Sequence, residues 1–218
     1  RPGVGGLMLD ADRSSILDLC LEGKVALVTG GARGIGRAIS IALAKYGADV
    51  AVNYRSDRES AHETAANVVA FGRRSSAVRG DVSDEADVDE MIRQVADELG
   101  EVDVLVNNAG IASPCYLHEM SLAEWQRTID VDLTSVFLTT RRVLPAMIER
   151  RDGRIINVSS VAAQNFKMVN GLVHYSSAKA GIIGFTRALA HEVAGHGITV
   201  NSIAPGTVLT DISASNGE

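Results

Sequence analysis

"YSSAK", Tyr175 to Lys179, sets a tyrosine and a lysine four positions apart, the spacing that puts two side chains on one face of a helix. Free tyrosine titrates near pH ~10, and an adjacent ammonium favours the phenolate, so the two together could move a proton near neutrality. Taken alone, the pair reads better as a solvated lysine beside a partly buried tyrosine. Two nearby features change that balance. Ser176, Ser177 and Ala178 are small enough to leave room for a ligand against the helix. "NVSSVAA" places Ser160 just after a strand-like run, where open parallel sheets hold their ligands.

A second candidate centre lies far upstream. "TGGARGIG", Thr29 to Gly36, follows an apolar run and opens a helix-like stretch. Gly30, Gly34 and Gly36, with Arg33 and Ile35 between them, would let a pyrophosphate approach backbone N–H groups at a helix start. No Gly-Lys-Ser/Thr follows, so nucleotide hydrolysis by a phosphate loop is disfavoured and dinucleotide binding preferred. The second strand ends in Asn53, Tyr54, Arg55 and Ser56. An acidic side chain there would accept from a free ribose 2′-hydroxyl; none is present, and Asp57 reads as the start of the next helix. Arg33 and Arg55 could instead flank a 2′-phosphate, which favours NADP(H) over NAD(H). The competing reading is two solvated surface arginines.

Both centres need a scaffold. Short apolar runs, "KVALVT", "ADVAVN", "SSAVR", "VDVLVN", "RIINVS" and "ITVNSI", alternate with amphipathic stretches and read as six buried strands of a parallel sheet built from βαβ units. The expected fold is α/β, a Rossmann-like doubly wound parallel sheet flanked by helices. Gly47, Gly72 and Gly100 fall where helices should stop. Asp84 and Glu85 after Ser83 suit a helix start, and Ser121 with Glu124 makes a capping box before a helix running through Leu144. No linker interrupts this pattern, so residues 21–218 read as one domain behind an N-terminal extension, residues 1–20.

Composition excludes other classes. The 218 residues are 46% hydrophobic and 22% charged, a profile of one globular core. A formal charge of −6 without basic clusters leaves no nucleic-acid footprint. The apolar runs fall well short of the roughly 20 residues that span a bilayer. Two cysteines, Cys20 and Cys115, give no disulfide framework and suit a reducing cytosol, with a free buried thiol as the expected state. "HEVAGH" spaces His191 and His196 five apart, unlike the four of a zinc-binding helix, and no metal site is expected.

Across residues 21–211 the chain resembles the short-chain dehydrogenase/reductase family, on the ordered motifs "TGGARGIG" at Thr29, "DV" at Asp81, "NNAG" at Asn107, a serine at Ser160, "YSSAK" at Tyr175 and "PGTVLT" at Pro205. Its nearest likeness is to the 3-oxoacyl-[acyl-carrier-protein] reductases of fatty acid biosynthesis and related NADPH-dependent carbonyl reductases. The resemblance implies that Tyr175 transfers the proton, Ser160 bonds the substrate oxygen, and Lys179 holds the nicotinamide ribose. It also implies that Asp81 and Val82 meet the adenine, that Asn108, Ala109 and Gly110 lie along the adenosine, and that Pro205, Gly206, Val208 and Thr210 lie by the nicotinamide. A cytoplasmic homo-tetramer or homo-dimer acting on a small carbonyl substrate, carried on an acyl carrier protein, follows from the same likeness. An alcohol, sugar or steroid dehydrogenase, and a catalytically silent nucleotide-binding scaffold, are the alternatives.

Three features depart from the family pattern. Asp132 in "VDL" stands where the family carries asparagine, the fourth catalytic position. There the main-chain carbonyl holds a relay water, and aspartate keeps that carbonyl. The interval from Ser160 to Tyr175 is long, and Phe166, Met168 and Leu172 within it could line an apolar pocket or pack as core or interface. Little follows "PGTVLT", so the C-terminal end of the fold is expected to be missing.

Overall fold

The computed structural model describes residues 21–164 and 170–208. The extension over residues 1–20, with Cys20, and the candidates Phe166, Met168 and Thr210 lie outside the described residues. Six strands alternate with helices: β1 (Val25–Val28), α1 (Gly34–Lys45), β2 (Asp49–Tyr54), α2 (Arg58–Val69), β3 (Ser75–Arg79), α3 (Glu85–Glu98), β4 (Val104–Asn107), α4 (Leu122–Ile129), α5 (Ser135–Arg150), β5 (Gly153–Val158), α6 (Val173–Val193) and β6 (Ile198–Ile203). No helix among the described residues is long and apolar enough to cross a membrane.

All six strands are parallel, in the order β3-β2-β1-β4-β5-β6. Successive residues of a strand face opposite ways, and in β1 both ways lead into a core. Val25 and Leu27 pack with the apolar residues of α3, α5 and α6. Ala26 and Val28 pack on the other side with residues of α1 and α2. Burial on both faces explains the unbroken apolar runs of the sequence. Sheet growth reverses between β3 and β4, so a crevice opens between the C-terminal ends of β1 and β4, the place where such sheets bind ligands.

The helix boundaries follow local chemistry. Asp57 and Asp84 cap α2 and α3 by accepting from Ser60 N and Asp87 N, and the Ser121–Glu124 capping box opens α4. Gly47, Gly72 and Gly100 take φ of +105°, +75° and +114° at the ends of helices, a region that disfavours a side chain. The expected single helix from Ser121 through Leu144 is corrected in two ways. A π turn at Asp130–Thr134 divides it, and α5 continues past Pro145 to Arg150. A proline usually ends a helix by removing an N–H, but burial of Val143 and Met147 on either side holds this one in the core.

Candidate active site

The loop after β1 is braced from three directions. Thr29 Oγ1 accepts from the N–H groups of Asn108 and Ala109, at 2.9 and 3.0 Å. Asn108 Nδ2 donates back to the carbonyls of Thr29 and Gly30, at 2.9 and 3.1 Å. Gly30 N donates to Asn53 Oδ1 at 3.1 Å, and Asn53 Nδ2 donates to Gly80 O at 3.1 Å. Side chains at the ends of β1, β2 and β4 therefore lock one loop. The glycines are sterically enforced: a Cβ on Gly36 would lie 2.2 Å from Gly30 O and 2.6 Å from Asn108 Nδ2.

This loop delivers the start of α1 to the crevice without a side-chain cap, a state that the starts of α5 and α6 share. Its N-cap, Arg33, makes no side-chain capping bond, and its first turn carries no acidic residue. The starts of α2, α3 and α4 each carry both. Free N–H groups and an unneutralised dipole suit an anion, so a dinucleotide pyrophosphate fits this cradle.

The cleft beyond it has a volume of about 300 Å³. The walls include Gly30, Arg33, Gly34, Ile35 and Gly36 after β1, Tyr54, Arg55 and Ser56 after β2, and Asp81 and Val82 after β3. Asn108, Ala109 and Gly110 follow β4, and Ser160, Tyr175, Lys179, Pro205 and Gly206 close the far end. Residues named from the sequence in separate motifs thus meet in one cavity. Val208 is exposed and does not line it, and Leu172 packs outside the cleft at the start of α6. Ala32, Asn53, Asp57, Gly80, Ile111, Ala112, Val131, Val158 and Ser159 also line it. Asn53 carries a signal, a polar residue near the end of an apolar strand.

At the end of the cleft beside β2 and β3, Arg55 Nη1 lies 3.8 Å from Asp81 Oδ2. Arg55 is exposed and Asp81 half-buried, and such a contact near solvent is weak. Burial would push the Asp81 carboxyl up, but hydrogen bonds from Ser83 N and Oγ, with Arg55 and Arg127 nearby, hold it below the ordinary aspartate value.

At the opposite end a buried polar ladder fixes α5 and α6 against the sheet. Thr139 Oγ1 donates to Asn107 Oδ1 at 2.7 Å, Asn107 Nδ2 donates to Asn157 Oδ1 at 2.9 Å, and Asn157 Nδ2 donates to Thr186 Oγ1 at 2.9 Å. Ser159 Oγ donates to Lys179 O at 2.8 Å and Lys179 Nζ to Val158 O at 3.2 Å. These bonds hold Lys179 upright beneath the cleft, with its ammonium 5.5 Å from the centre of the Tyr175 ring. Ser160 Oγ accepts from Ala162 N at 3.1 Å, which leaves its own proton free to donate. Val161 N donates to Pro205 O at 3.1 Å, bringing the segment after β6 to the same place.

Asp132 does not line the cleft. It is wholly buried in the π turn behind Lys179. Its Oδ1 accepts from Ile111 N at 2.8 Å, and its Oδ2 sits 3.2 Å from Lys179 Nζ, an ion contact without hydrogen-bond alignment. Burial pushes this carboxyl above the ordinary aspartate value, against the opposing pull of Lys179 and of the Ile111 N–H.

Two expectations outside the cleft are resolved differently. Cys115, expected to be a buried thiol, is free but partly exposed. His191 lies in α6 and His196 in the following turn, so the two share no helix face.

Comparison with known proteins places this cleft in context. A family model described as short chain dehydrogenase matches residues 24–218. A 3-oxoacyl-[acyl-carrier-protein] reductase from Synechocystis sp. is 45% identical over 194 residues, covering 88% of this chain and 77% of that protein. Among solved structures, a short-chain type dehydrogenase/reductase from Mycobacterium marinum is 36% identical with a TM-score of 0.88, covering 92% of this chain and 80% of the other. A short chain dehydrogenase from Burkholderia cenocepacia, solved in complex with NADP, is 38% identical with a TM-score of 0.81, covering 88% and 77%.

Proposed function

The chain belongs to the short-chain dehydrogenase family and is an oxidoreductase that uses a nucleotide cofactor, and from that premise we propose that it is an NADPH-dependent carbonyl reductase acting on a 3-oxoacyl thioester. The observation that carries the reading is the convergence of Tyr175, Lys179 and Ser160 on one cleft with the glycine loop.

Each residue has a part that its chemistry supports. The uncapped start of α1 and the braced loop hold the pyrophosphate. Arg33 and Arg55, with Tyr54 and Ser56 beside them, receive the 2′-phosphate, because β2 itself ends without a carboxylate and Asp57 and Asp81, which also line the cleft, are engaged by Ser60 and Ser83. Asp81 and Val82 border the adenine, Asn108, Ala109 and Gly110 the adenosine, and Pro205 and Gly206 the nicotinamide. NADPH bound along this path supplies the hydride to the substrate carbon.

Ser160 donates its free hydroxyl proton to the substrate carbonyl oxygen and orients it. Tyr175 gives that oxygen its proton as negative charge develops there. The Lys179 ammonium supports the phenolate left behind and reaches the cofactor ribose from its place on α6. Asp132 contributes its main-chain carbonyl from the widened turn, a geometry recurrent at functional sites.

Support for the thioester substrate is the identity to the 3-oxoacyl-[acyl-carrier-protein] reductase, and an alcohol, sugar or steroid substrate is the rival. The test is NADPH oxidation across 3-oxoacyl thioesters, simple ketones, quinones and sugars, with NADH as control. A preference for the thioester with NADPH is expected. A response confined to another class, or none at all, rejects the proposal.

A further inference from the structure

We propose that Asp132 is a positioning residue that acts through Lys179: its buried carboxylate is a fixed counter-ion to the ammonium and raises the pH above which Tyr175 works as a base. The inference rests on the reading of Tyr175 as the proton-transferring group.

The pair is built into the fold. Asp132 points inward from the π turn, held by Ile111 N at 2.8 Å, so its second oxygen has one place to go. That place is 3.2 Å from Lys179 Nζ. Room for the contact comes from Gly110, where a Cβ would lie 3.0 Å from Asp132 Oδ2 and 3.2 Å from Lys179 Nζ. Lys179 in turn is anchored by Val158 O at 3.2 Å and cannot swing away without leaving that carbonyl.

Among the described residues, Lys179 and His174, both on α6, are the titratable groups that act on the Asp132 carboxyl. The loop after β4 contributes the Ile111 N–H. Asp130, two residues earlier in the turn, accepts from Gln126 and Thr134 instead. His174 is almost fully buried, its Nδ1 without a hydrogen-bond partner among the described residues, and on α4 Glu124 feels it in turn.

The electrostatic consequence follows from sign and separation. A lone ammonium 5.5 Å from the Tyr175 ring supports a phenolate strongly in a poorly solvated site. An ionised carboxylate 3.2 Å from that ammonium opposes its field at the ring. An asparagine in the same place would leave the lysine charge uncancelled. The aspartate therefore trades activity at lower pH for a lysine held by charge as well as by hydrogen bonding.

The test is the pH profile of kcat/KM for oxidation of a 3-hydroxyacyl thioester by NADP+, the direction in which Tyr175 is the base. In Asp132→Asn the rising limb should move to lower pH by about one unit, a tenfold change in proton affinity. Asp132→Ser removes the same charge with a smaller side chain and should move it the same way, which covers a failure of the asparagine variant to fold. A second readout needs no turnover: the tyrosinate absorbance of Tyr175, isolated by subtracting Tyr175→Phe, should titrate at lower pH in both variants. If no substrate is turned over but the absorbance titration shifts, the inference stands and the substrate reading falls. Titrations that superimpose, or that move to higher pH, overturn the inference even in a fully active reductase.

Discussion

Gly30 donates its backbone N–H to the side chain of Asn53 at 3.1 Å, so the glycine loop after β1 is held by the strand beside it. Asn53 is only 2% exposed, and its amide also donates to Gly80 O and, at 3.4 Å, to Val78 O. Asn53→Ala would leave these groups unpaired in a site poorly reached by water. A loss of about 1–3 kcal/mol in urea unfolding is expected, with weaker NADPH binding beside it. Native stability in that variant would show the bracket to be dispensable.

Gly36 has no room for a side chain, because its Cβ would meet Gly30 O at 2.2 Å. Gly36→Ala should push α1 away from the loop, costing about 1–3 kcal/mol of stability by overpacking and abolishing nucleotide binding. Calorimetric titration with NADPH checks the second effect. Binding at native affinity would mean that α1 does not seat the pyrophosphate.

Asp132 makes stability depend on pH in a defined direction. Its folded carboxyl titrates above the ordinary aspartate value because of burial, so in that window the folded chain holds a proton that the unfolded chain has lost. Stability from this group is complete below the unfolded value and declines as pH rises through the folded one. Urea unfolding of the native chain and of Asp132→Asn should therefore diverge in the variant's favour as pH rises from acid toward neutral. A difference that is flat, or that grows as pH falls, would contradict this.

Arg55 is assigned to the cofactor's 2′-phosphate, where a charge-assisted bond contributes about 1.5–3 kcal/mol, about tenfold to a hundredfold in affinity. Arg55→Asp should reverse the preference toward NADH. Arg55→Ala, which sets no second carboxylate beside Asp81, should lose NADPH affinity by a similar factor without gaining NADH. Unchanged dissociation constants for both cofactors would return Arg55 to the status of a surface residue.

The strands were legible because burial on both sheet faces leaves an apolar run that period and composition expose, as in "KVALVT". Ser160, Tyr175 and the glycine loop were legible because their residue types and order are specific. What escaped was tertiary. Nothing local in "VDLTS" announces a π turn, and α5 runs past Pro145 with Val143 and Met147 packed in the core on either side. Asp132 could be named as a departure, but its contact with Lys179 depends on Gly110, far away in the chain, leaving space for it. Asn53 offers no carboxylate, and the fold uses its amide to bind Gly30 N and Gly80 O.

The measurement that bears most directly on the account is single-turnover reduction of a 3-oxoacyl thioester by Tyr175→Phe, with NADPH binding measured on the same preparation. The account predicts native NADPH affinity and turnover reduced by at least about 10²–10⁴-fold, the span typical of a positioned acid. Turnover within a few-fold of the native enzyme would contradict it.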